Sequence, residues 1–182
     1  MKFFLKITAA LIYIIFSFSL PLAFSQPHPQ NDQLVRELTL KASLLFKLTQ
    51  KIKWPNDASA NKNNLVLCFQ ENDYFRGIID LAIKHPQVPI NWKIRENVPL
   101  EATKNCHILF LDSAQEKRLE ETIAYVKNYP ILTVGDTEGF AERGVIINFI
   151  VVDNRLRFKA LKETTKTSSL QIDDELLSLA IR

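Results

Sequence analysis

The sequence predicts an α/β fold: a three-layer sandwich whose mixed, mostly parallel sheet ends in an antiparallel hairpin. Two patterns lead to this prediction. Nearly unbroken apolar runs, such as 65–70 and 107–111, alternate with stretches of helical periodicity, which is typical of parallel strands covered by helices on both faces. Near the C-terminus two strand-like runs flank Asp153 and Asn154, residues that favour a tight antiparallel turn.

The composition fits one globular domain. The chain has 182 residues, of which 47% are hydrophobic and 24% are charged, as in ordinary globular proteins. The formal net charge is only +3, and the basic residues do not form a tract interleaved with aromatic side chains. Nucleic acid is therefore a poor candidate for a partner.

The N-terminal segment, 1–25, is predicted to be a signal peptide. Lys2 and Lys6 provide a basic start, an apolar run covers 11–20, and residues 23–25 form a small-x-small cleavage site. These three features together are typical of export. An uncleaved membrane anchor is the alternative, but the apolar run is short for a membrane span. We therefore expect an exported protein.

The rest of the chain divides into a short leading stretch and one domain. Residues 26–33 are rich in proline and polar side chains, so we expect a flexible mature N-terminus. Apolar periodicity begins at residue 34 and continues to the C-terminus without an internal repeat or a low-complexity segment. We assign 34–182 to a single domain.

The first helix is predicted over 34–53, where apolar residues recur at helical spacing. Its apolar face contains Leu34, Leu38, Ala42, Leu45, Leu48 and Ile52, with Leu44 and Phe46 beside it. Lys41 projects into this apolar arc, where its ammonium group must extend to water or meet a carboxylate. Alternatively, the face contacts a partner or a second subunit, with Lys41 paired across the contact. Pro55 ends the helix, because it disfavours helical geometry at Trp54.

Strands and helices alternate in the middle of the chain. Central strands are predicted over 65–70 and 107–111, and a strand near the sheet edge over 89–95, where apolar and polar residues alternate. Helices are predicted over 73–84 and 115–129, and the second of these has a narrow apolar stripe typical of a surface helix.

A further parallel strand ends at Gly135-Asp136. Glycine permits positive φ there, and aspartate can bond the backbone of the turn. Two antiparallel strands are then predicted over 145–152 and 155–161. The chain closes with a helix predicted over 168–181, for which Asp173 is a suitable cap.

The sequence holds no recognisable catalytic motif. It contains no G-x-S-x-G, G-x-G-x-x-G or P-loop pattern, and its three histidines have no second ligand at short spacing. We therefore expect no catalytic residue, no metal and no cofactor.

Candidate binding residues lie where the strands of a parallel sheet end, because ligands of such sheets bind beyond the carboxyl ends of strands. These crevices are expected at Glu71-Asn72, at Asp112-Ser113 and between Gly135 and Gly144. The candidate partner-binding or ligand-binding residues are Lys41, Asp136, Thr137, Glu138, Phe140 and Arg143. The alternative for Asp136 is that it stabilises the turn after Gly135.

Cys68 and Cys106 are the only cysteines. An exported protein reaches an oxidising compartment, where an even number of cysteines permits one disulfide. The alternative is a pair of buried thiols on neighbouring strands. We favour the bridge because of the compartment, whereas zinc would need further ligands beside these two.

Ordered motifs along the chain resemble the YfiR family of periplasmic proteins, from about Lys41 to the C-terminus. The motifs are Lys41-Ala42 with Phe46 and Trp54-Pro55, the strand around Cys68, Cys106-His107-Ile108-Leu109-Phe110, the block from Leu132-Thr133-Val134-Gly135-Asp136 through Phe140, Gly144 and Ile147 to Phe149, Arg157-Phe158, and Leu176-Leu177-Ser178-Leu179-Ala180. Their order and spacing together make the resemblance fairly specific.

The resemblance implies a non-catalytic periplasmic signalling protein with a single YfiR-like domain. In the best understood systems of this family, the periplasmic protein represses a membrane-anchored diguanylate cyclase. An outer-membrane lipoprotein sequesters the repressor and thereby releases cyclic di-GMP synthesis and biofilm formation. The resemblance also implies a homodimer and a structural disulfide. A different class of function, a periplasmic small-molecule sensor or solute-binding module that uses the crevice between Gly135 and Gly144, is the alternative.

The chain departs from the family pattern at three points. Leu161-Lys162 replaces an Asn-Leu pair after the Arg-Phe strand, and Ser169-Leu170 replaces a Gly-Leu pair before the last helix. With two cysteines, the chain also cannot form the second bridge of some members.

Overall fold

The structure is a computed structural model that describes residues 29–55, 64–70, 75–77, 79–80 and 92–181, with side chains from residue 33. The chain divides into a first unit, Met1–Asp32, and a second, Gln33–Arg182. Of the first unit, only the helical backbone of 29–32 is described. The predicted signal peptide, residues 26–28, the Glu71-Asn72 crevice, His28 and His85 lie outside the described residues.

Eight strands are described. In chain order they are β1 Ile52–Lys53, β2 Val66–Phe69, β3 Lys93–Glu96, β4 Ile108–Leu111, β5 Leu132–Gly135, β6 Ile147–Val152, β7 Arg155–Lys159 and β8 Gln171–Ile172. Six of them form one sheet in the order β3-β2-β4-β5-β6-β7, and β1 pairs with β8 separately. Within the large sheet all neighbours are parallel except the final pair, β6 and β7. The predicted mixed sheet is confirmed.

The helices are α1 Pro29–Gln50, α2 Leu119–Val126, α3 Lys162–Thr167 and α4 Asp174–Ser178, and 3-10 helices cover Leu100–Asn105 and Ser113–Arg118. Residues 75–77 and 79–80 also have helical backbone, within the helix predicted over 73–84. None of the described helices is long and apolar enough to cross a membrane.

Helices cover both faces of the sheet. Alternate residues of a strand point to opposite faces, and the buried side chains accordingly form two cores. The first core joins one side of the strands to Leu45 of α1 and to Phe75. The second core joins the other side to Leu119 and Val126 of α2. This arrangement is the predicted three-layer sandwich.

The first helix differs from its prediction at both ends. It begins at Pro29, so the part of the predicted flexible stretch from residue 29 onward is helical. Proline is favoured in the first turn of a helix, because the N–H that it lacks has no partner there. The helix ends at Gln50 rather than 53, because Ile52 pairs with Ile172 in the small β1–β8 sheet.

The prediction of one helix over 168–181 is wrong. Residues in its first half form β8, which pairs with β1, and only Asp174–Ser178 is α-helical. Asp173 does act as the predicted cap, since its carboxylate accepts a hydrogen bond from the backbone N of Glu175 at 2.9 Å. The helix α3, just before this region, was not predicted.

The helix predicted over 115–129 is shorter and begins differently. Its first part is the 3-10 helix Ser113–Arg118, which Asp112 and Gln115 cap reciprocally. Only α2 is α-helical, and its residues Leu119 and Val126 are buried as the apolar stripe predicted.

Two local predictions are confirmed in the sheet. Asp153 and Asn154 have φ of +49° and +56°, as the tight turn between β6 and β7 requires. The strand predicted over 89–95 near an edge corresponds to β3, which is the outermost strand beside β2. Residues 89–91 lie outside the described part of the chain.

Candidate functional site

A charge cluster joins α1 to the loop after β5. The Nζ atom of Lys41 lies 2.7 Å from Oε1 of Glu37 and 3.0 Å from Oδ2 of Asp136. The side chains of Lys41 and Asp136 are 9% and 14% exposed, whereas that of Glu37 is 41% exposed. The predicted site residues Lys41 and Asp136 therefore form a nearly buried ion pair, and Lys41 meets a carboxylate of its own chain.

Burial and pairing act in opposite directions on these groups. Burial disfavours the ammonium of Lys41, but Glu37 and Asp136 outweigh it, so the pKa of Lys41 is raised. For Asp136, burial is the strongest influence and raises the pKa. The attraction of Lys41 opposes that rise, but the nearby carboxylates of Asp112 and Glu37 add to it, and the pKa of Asp136 stays above its ordinary value. Ionised Asp136 thus depends on Lys41 for its charge compensation.

Gly135 and Asn148 hold the loop beside the cluster. They are paired across β5 and β6, and Nδ2 of Asn148 donates to the carbonyl oxygen of Thr137 at 2.8 Å. A Cβ atom at Gly135 would lie 2.6 Å from Oδ1 of Asn148, so glycine is required for this close approach. Among the described residues this buried Oδ1 has no hydrogen-bond partner. Thr137 also donates a long bond of 3.5 Å to Oδ1 of Asp136.

The other predicted loop residues lie apart from the charge cluster. Glu138 is exposed. Phe140 is fully buried in the second core, so it anchors the loop and presents no surface to a partner. The guanidinium of Arg143 lies 5.5 Å from the centroid of the Phe140 ring. Arg143 also donates to Oε1 of Glu120 at 2.7 Å and thereby lowers the pKa of that carboxyl.

The loop from Asp136 to Gly144 is therefore tied on both sides. Asp136 connects it to α1, and Arg143 connects it to α2 and the preceding 3-10 helix. Phe140 and Ala141 fill its interior and are inaccessible to solvent. These contacts give the loop a structural role.

Three large apolar side chains of α1 are exposed: Leu34, Val35 and Leu40, with exposed fractions of 38%, 42% and 56%. At the roughly 100° per residue of an α-helix they point to three different sides, and Leu40 lies on the side away from the buried Leu38 and Leu45. We call this outward side of the helix, which carries Leu40, the α1 surface. Leu44 and Phe46, which were predicted to widen the apolar face, are half-buried against the first core. Some of the apolar side chains beyond the narrow buried stripe of α1 thus pack inside the domain, and others remain exposed to solvent.

The predicted disulfide between Cys68 and Cys106 is present. It connects β2 to the segment that precedes β4, with the two Cα atoms 5.9 Å apart, a separation typical of disulfides. Both residues are buried in the second core. The bridge therefore belongs to the packed interior of the domain.

His107 bonds to a neighbouring strand, and the described residues offer no metal cluster. Within the described residues, no three side chains of His, Cys, Asp or Glu come close enough together to hold a metal ion. His107 accepts a hydrogen bond at Nδ1 from the backbone N of Val66 at 3.1 Å, which aligns the starts of β2 and β4.

Sequence reasoning did not single out Glu37 or Asn148. Glu37 precedes Lys41 by four residues, a spacing that favours an ion pair on a helix, so a signal for it exists. Asn148 interrupts an apolar strand, and a buried amide at such a place requires hydrogen-bond partners. No local pattern, however, reveals that Glu37 lies beside the Lys41–Asp136 pair or that Asn148 donates to the loop after β5.

The fold and the site define a class of protein: an α/β domain, tied by one disulfide, whose nearly buried charges connect its first helix to the loop after β5. A family model described as YfiR/HmsC-like matches residues 38–181. The chain belongs to the YfiR/HmsC-like family. Members of this family are known as periplasmic regulators of cyclic di-GMP signalling and are regulatory rather than catalytic.

A solved structure resembles the chain in fold. A conserved domain protein from Vibrio cholerae O1 biovar eltor has a TM-score of 0.54 and 9% identity over 79% of this chain. The chain spans 58% of that protein's length, and the likeness concerns the fold alone. A putative O-acetylhomoserine (thiol)-lyase from Campylobacter jejuni has a TM-score of 0.38 and 13% identity over 63% of this chain and 29% of its own, a likeness too weak to indicate a shared fold. No protein with a curated description matches significantly.

Proposed function

We propose that this chain is a periplasmic regulatory protein that represses a membrane-anchored diguanylate cyclase by direct contact and so lowers cyclic di-GMP. The observation that carries this proposal is the family match over 38–181. The proposed partner is the periplasmic domain of the cyclase. An outer-membrane lipoprotein would release the cyclase by sequestering the repressor, which acts as a homodimer.

The disulfide supports a periplasmic location. Disulfides persist in oxidising compartments and are rare in the cytosol, where thiols are kept reduced. Because Cys68 and Cys106 are both buried, their bridge contributes to the stability of the domain. The signal peptide predicted over 1–25 would supply the route of export.

The α1 surface is the part of the chain that we assign to the partner. Leu40 is 56% exposed there, and removing such an apolar side chain from water contributes about 25 cal/mol per Å². The Lys41–Asp136 pair fixes α1 to the loop after β5. A helix held in this way can bind without a large loss of conformational entropy.

A deletion strain tests the proposal. In a strain that naturally expresses a cyclase partner, loss of the gene should raise cyclic di-GMP and biofilm formation, and the wild-type gene should restore both. An unchanged concentration of cyclic di-GMP in the deletion strain would contradict the proposal.

Two variants in the same strain test the contact surface. Leu40→Glu should fail to restore repression, because it replaces an exposed apolar side chain of the α1 surface with a charge. Val151→Glu is the matched control, since Val151 is also 56% exposed but lies on β6; it should restore repression fully. Immunoblots of the periplasmic fraction would verify equal amounts of both variants.

A further inference from the structure

The strand order creates a topological switch point between β2 and β4. The chain passes from β2 to β3 through helical residues that pack on the first core, Phe75 and Ile79. It returns to β4 through the 3-10 helix Leu100–Asn105, whose Ala102 packs on the second core. Counted from β2, the parallel strands follow the order 2-1-3-4-5. In sheets of this order, ligands bind beyond the carboxyl ends of the two strands at the switch point.

A cleft lies at this place in the molecule. Its volume is ≈ 540 Å³, within the range of about 300–1,000 Å³ that is usual for small-molecule sites. The residues of β4 from Leu109 to Leu111 line it, together with the segment after β3 and the 3-10 helix Ser113–Arg118. It lies beside Asp112-Ser113, one of the three places where the sequence predicted a crevice, and is separate from the loop between Gly135 and Gly144.

The lining of the cleft combines an apolar wall with polar groups. Val98, Pro99 and Leu100 contribute apolar surface. Gln70 uses Nε2 to donate to the carbonyl oxygen of Val98 at 3.3 Å, and among the described residues its Oε1 has no partner. Gln115 uses Oε1 to accept from the backbone N of Asp112 at 2.8 Å, which leaves its Nε2 available.

Arg118 gives the cleft its charge. Among the described lining residues it is the only one with a formal charge. Its Nε donates to Oε2 of Glu121, three residues further along the chain, at 3.2 Å. Both side chains are exposed, and an exposed ion pair of this kind is weak enough for a ligand to replace it. The two terminal nitrogens of its guanidinium have no partner among the described residues, and such a fork matches the oxygens of a carboxylate or a phosphate.

We propose that the cleft binds a small anionic molecule with an apolar body. The body would lie on Val98, Pro99 and Leu100, the carboxylate or phosphate would meet Arg118, and the amides of Gln70 and Gln115 would form hydrogen bonds. This site does not depend on the proposed action on a cyclase, because binding can be measured on the purified protein alone.

Four probes of similar shape test the chemistry. Benzoate and phenyl phosphate carry the two candidate anions, benzamide is neutral, and benzylamine is cationic. We expect benzoate or phenyl phosphate, added up to about 10 mM to detect a Kd near 1 mM, to shift the side-chain amide NMR signals of Gln70 and Gln115 saturably. Which anion binds more tightly identifies the class of ligand. No saturable shift with either anion, or equal binding of benzylamine, would overturn the proposal.

Paired variants test the location. Arg118→Gln should weaken binding of the anion at least tenfold, while the neighbouring Lys117→Gln, which removes the same charge outside the lining, should not. Ala114→Trp should fill the cleft and abolish binding, whereas Ser113→Trp should preserve it; Ala114 and Ser113 are exposed, so both proteins should fold. Undiminished binding by Arg118→Gln or by Ala114→Trp would refute the site.

Discussion

Lys41 and Asp136 stand 95 positions apart in the chain, yet Nζ of Lys41 lies 3.0 Å from Oδ2 of Asp136. The pair joins the first helix to the loop at the carboxyl end of β5. Both side chains are largely excluded from water. Loss of Lys41 would leave the charge of Asp136 uncompensated in a poorly hydrated place, whereas loss of Asp136 would leave Lys41 paired with Glu37 alone. This contact adds to the apolar packing of α1 in holding the helix, and with it the α1 surface, in place.

Removal of the Lys41 charge should destabilise the domain. Lys41→Met keeps the apolar stem but leaves Asp136 without compensation, and we expect the free energy of unfolding to fall by about 3–5 kcal/mol. Urea unfolding followed by circular dichroism measures the loss. Lys51→Met, which breaks an exposed pair with Glu175, is the control and should change stability little.

The double variant Lys41→Met/Asp136→Asn should recover most of that loss, because no buried charge remains. A double-mutant cycle isolates the coupling between the two side chains. If the two single losses simply added, the pair would not be the contact inferred from its geometry.

Asp136 should make stability depend on pH. Because the pKa of Asp136 is raised from its ordinary value of 3.8 in the folded protein, the folded state holds this proton more tightly than the unfolded state. Its contribution is therefore present below pH 3.8 and is lost as pH rises through the folded pKa. Lys41, whose pKa is also raised, contributes stability below 10.5 and loses it above its folded pKa.

Asp136→Asn tests this sign. As pH rises from 3.8, the free energy of unfolding of the variant should improve relative to that of the wild type, since the variant carries no carboxyl that resists ionisation. Urea unfolding at a series of pH values, with NMR titration of the Asp136 carboxyl carbon, checks it. A relative gain by the wild type over the same window would mean that the pKa is lowered.

Loss of the disulfide should also destabilise the domain. The bridge closes a loop between residues 38 positions apart, for which the chain-entropy model gives about 3–4 kcal/mol. We expect Cys68→Ala/Cys106→Ala to lose that amount in urea unfolding. Reductant should lower the wild type to the level of the variant and leave the variant unchanged, and a variant as stable as the oxidised wild type would contradict this.

Gly135→Ala should be poorly tolerated. The added methyl group would lie 2.6 Å from Oδ1 of Asn148 and 3.1 Å from the Phe140 ring, and both neighbours are buried, so we expect a loss of about 1–3 kcal/mol. Gly77→Ala is the matched control, because a Cβ there meets nothing within 4 Å and alanine favours a helix. Equal thermal stability of both variants would refute the close approach of Gly135 and Asn148.

Much of the fold follows from local signals in the sequence. Unbroken apolar runs predicted β2 and β4 because central parallel strands are buried on both faces. Asp153 and Asn154 predicted the hairpin because both tolerate positive φ. Asp173 was identified as a cap because its carboxylate can accept from the first turn.

The remaining differences come from contacts between distant parts of the chain. Residues 171–172 look helical by periodicity, but pairing with Ile52 and Lys53 places them in a strand. The same pairing ends α1 earlier than its apolar pattern suggests. Lys41 and Asp136 were each predicted as site residues. Local sequence patterns cannot show that they contact each other, because they lie 95 positions apart in the chain.

The most direct test of the proposed repression uses purified components. The oxidised, exported protein is added to its candidate diguanylate cyclase in lipid nanodiscs, where both sides of the membrane protein are accessible, and cyclic di-GMP synthesis is followed. The proposed function predicts that the wild type and Val151→Glu lower the rate saturably and that Leu40→Glu does not. A rate that stays unchanged at every concentration of the wild-type protein would contradict it.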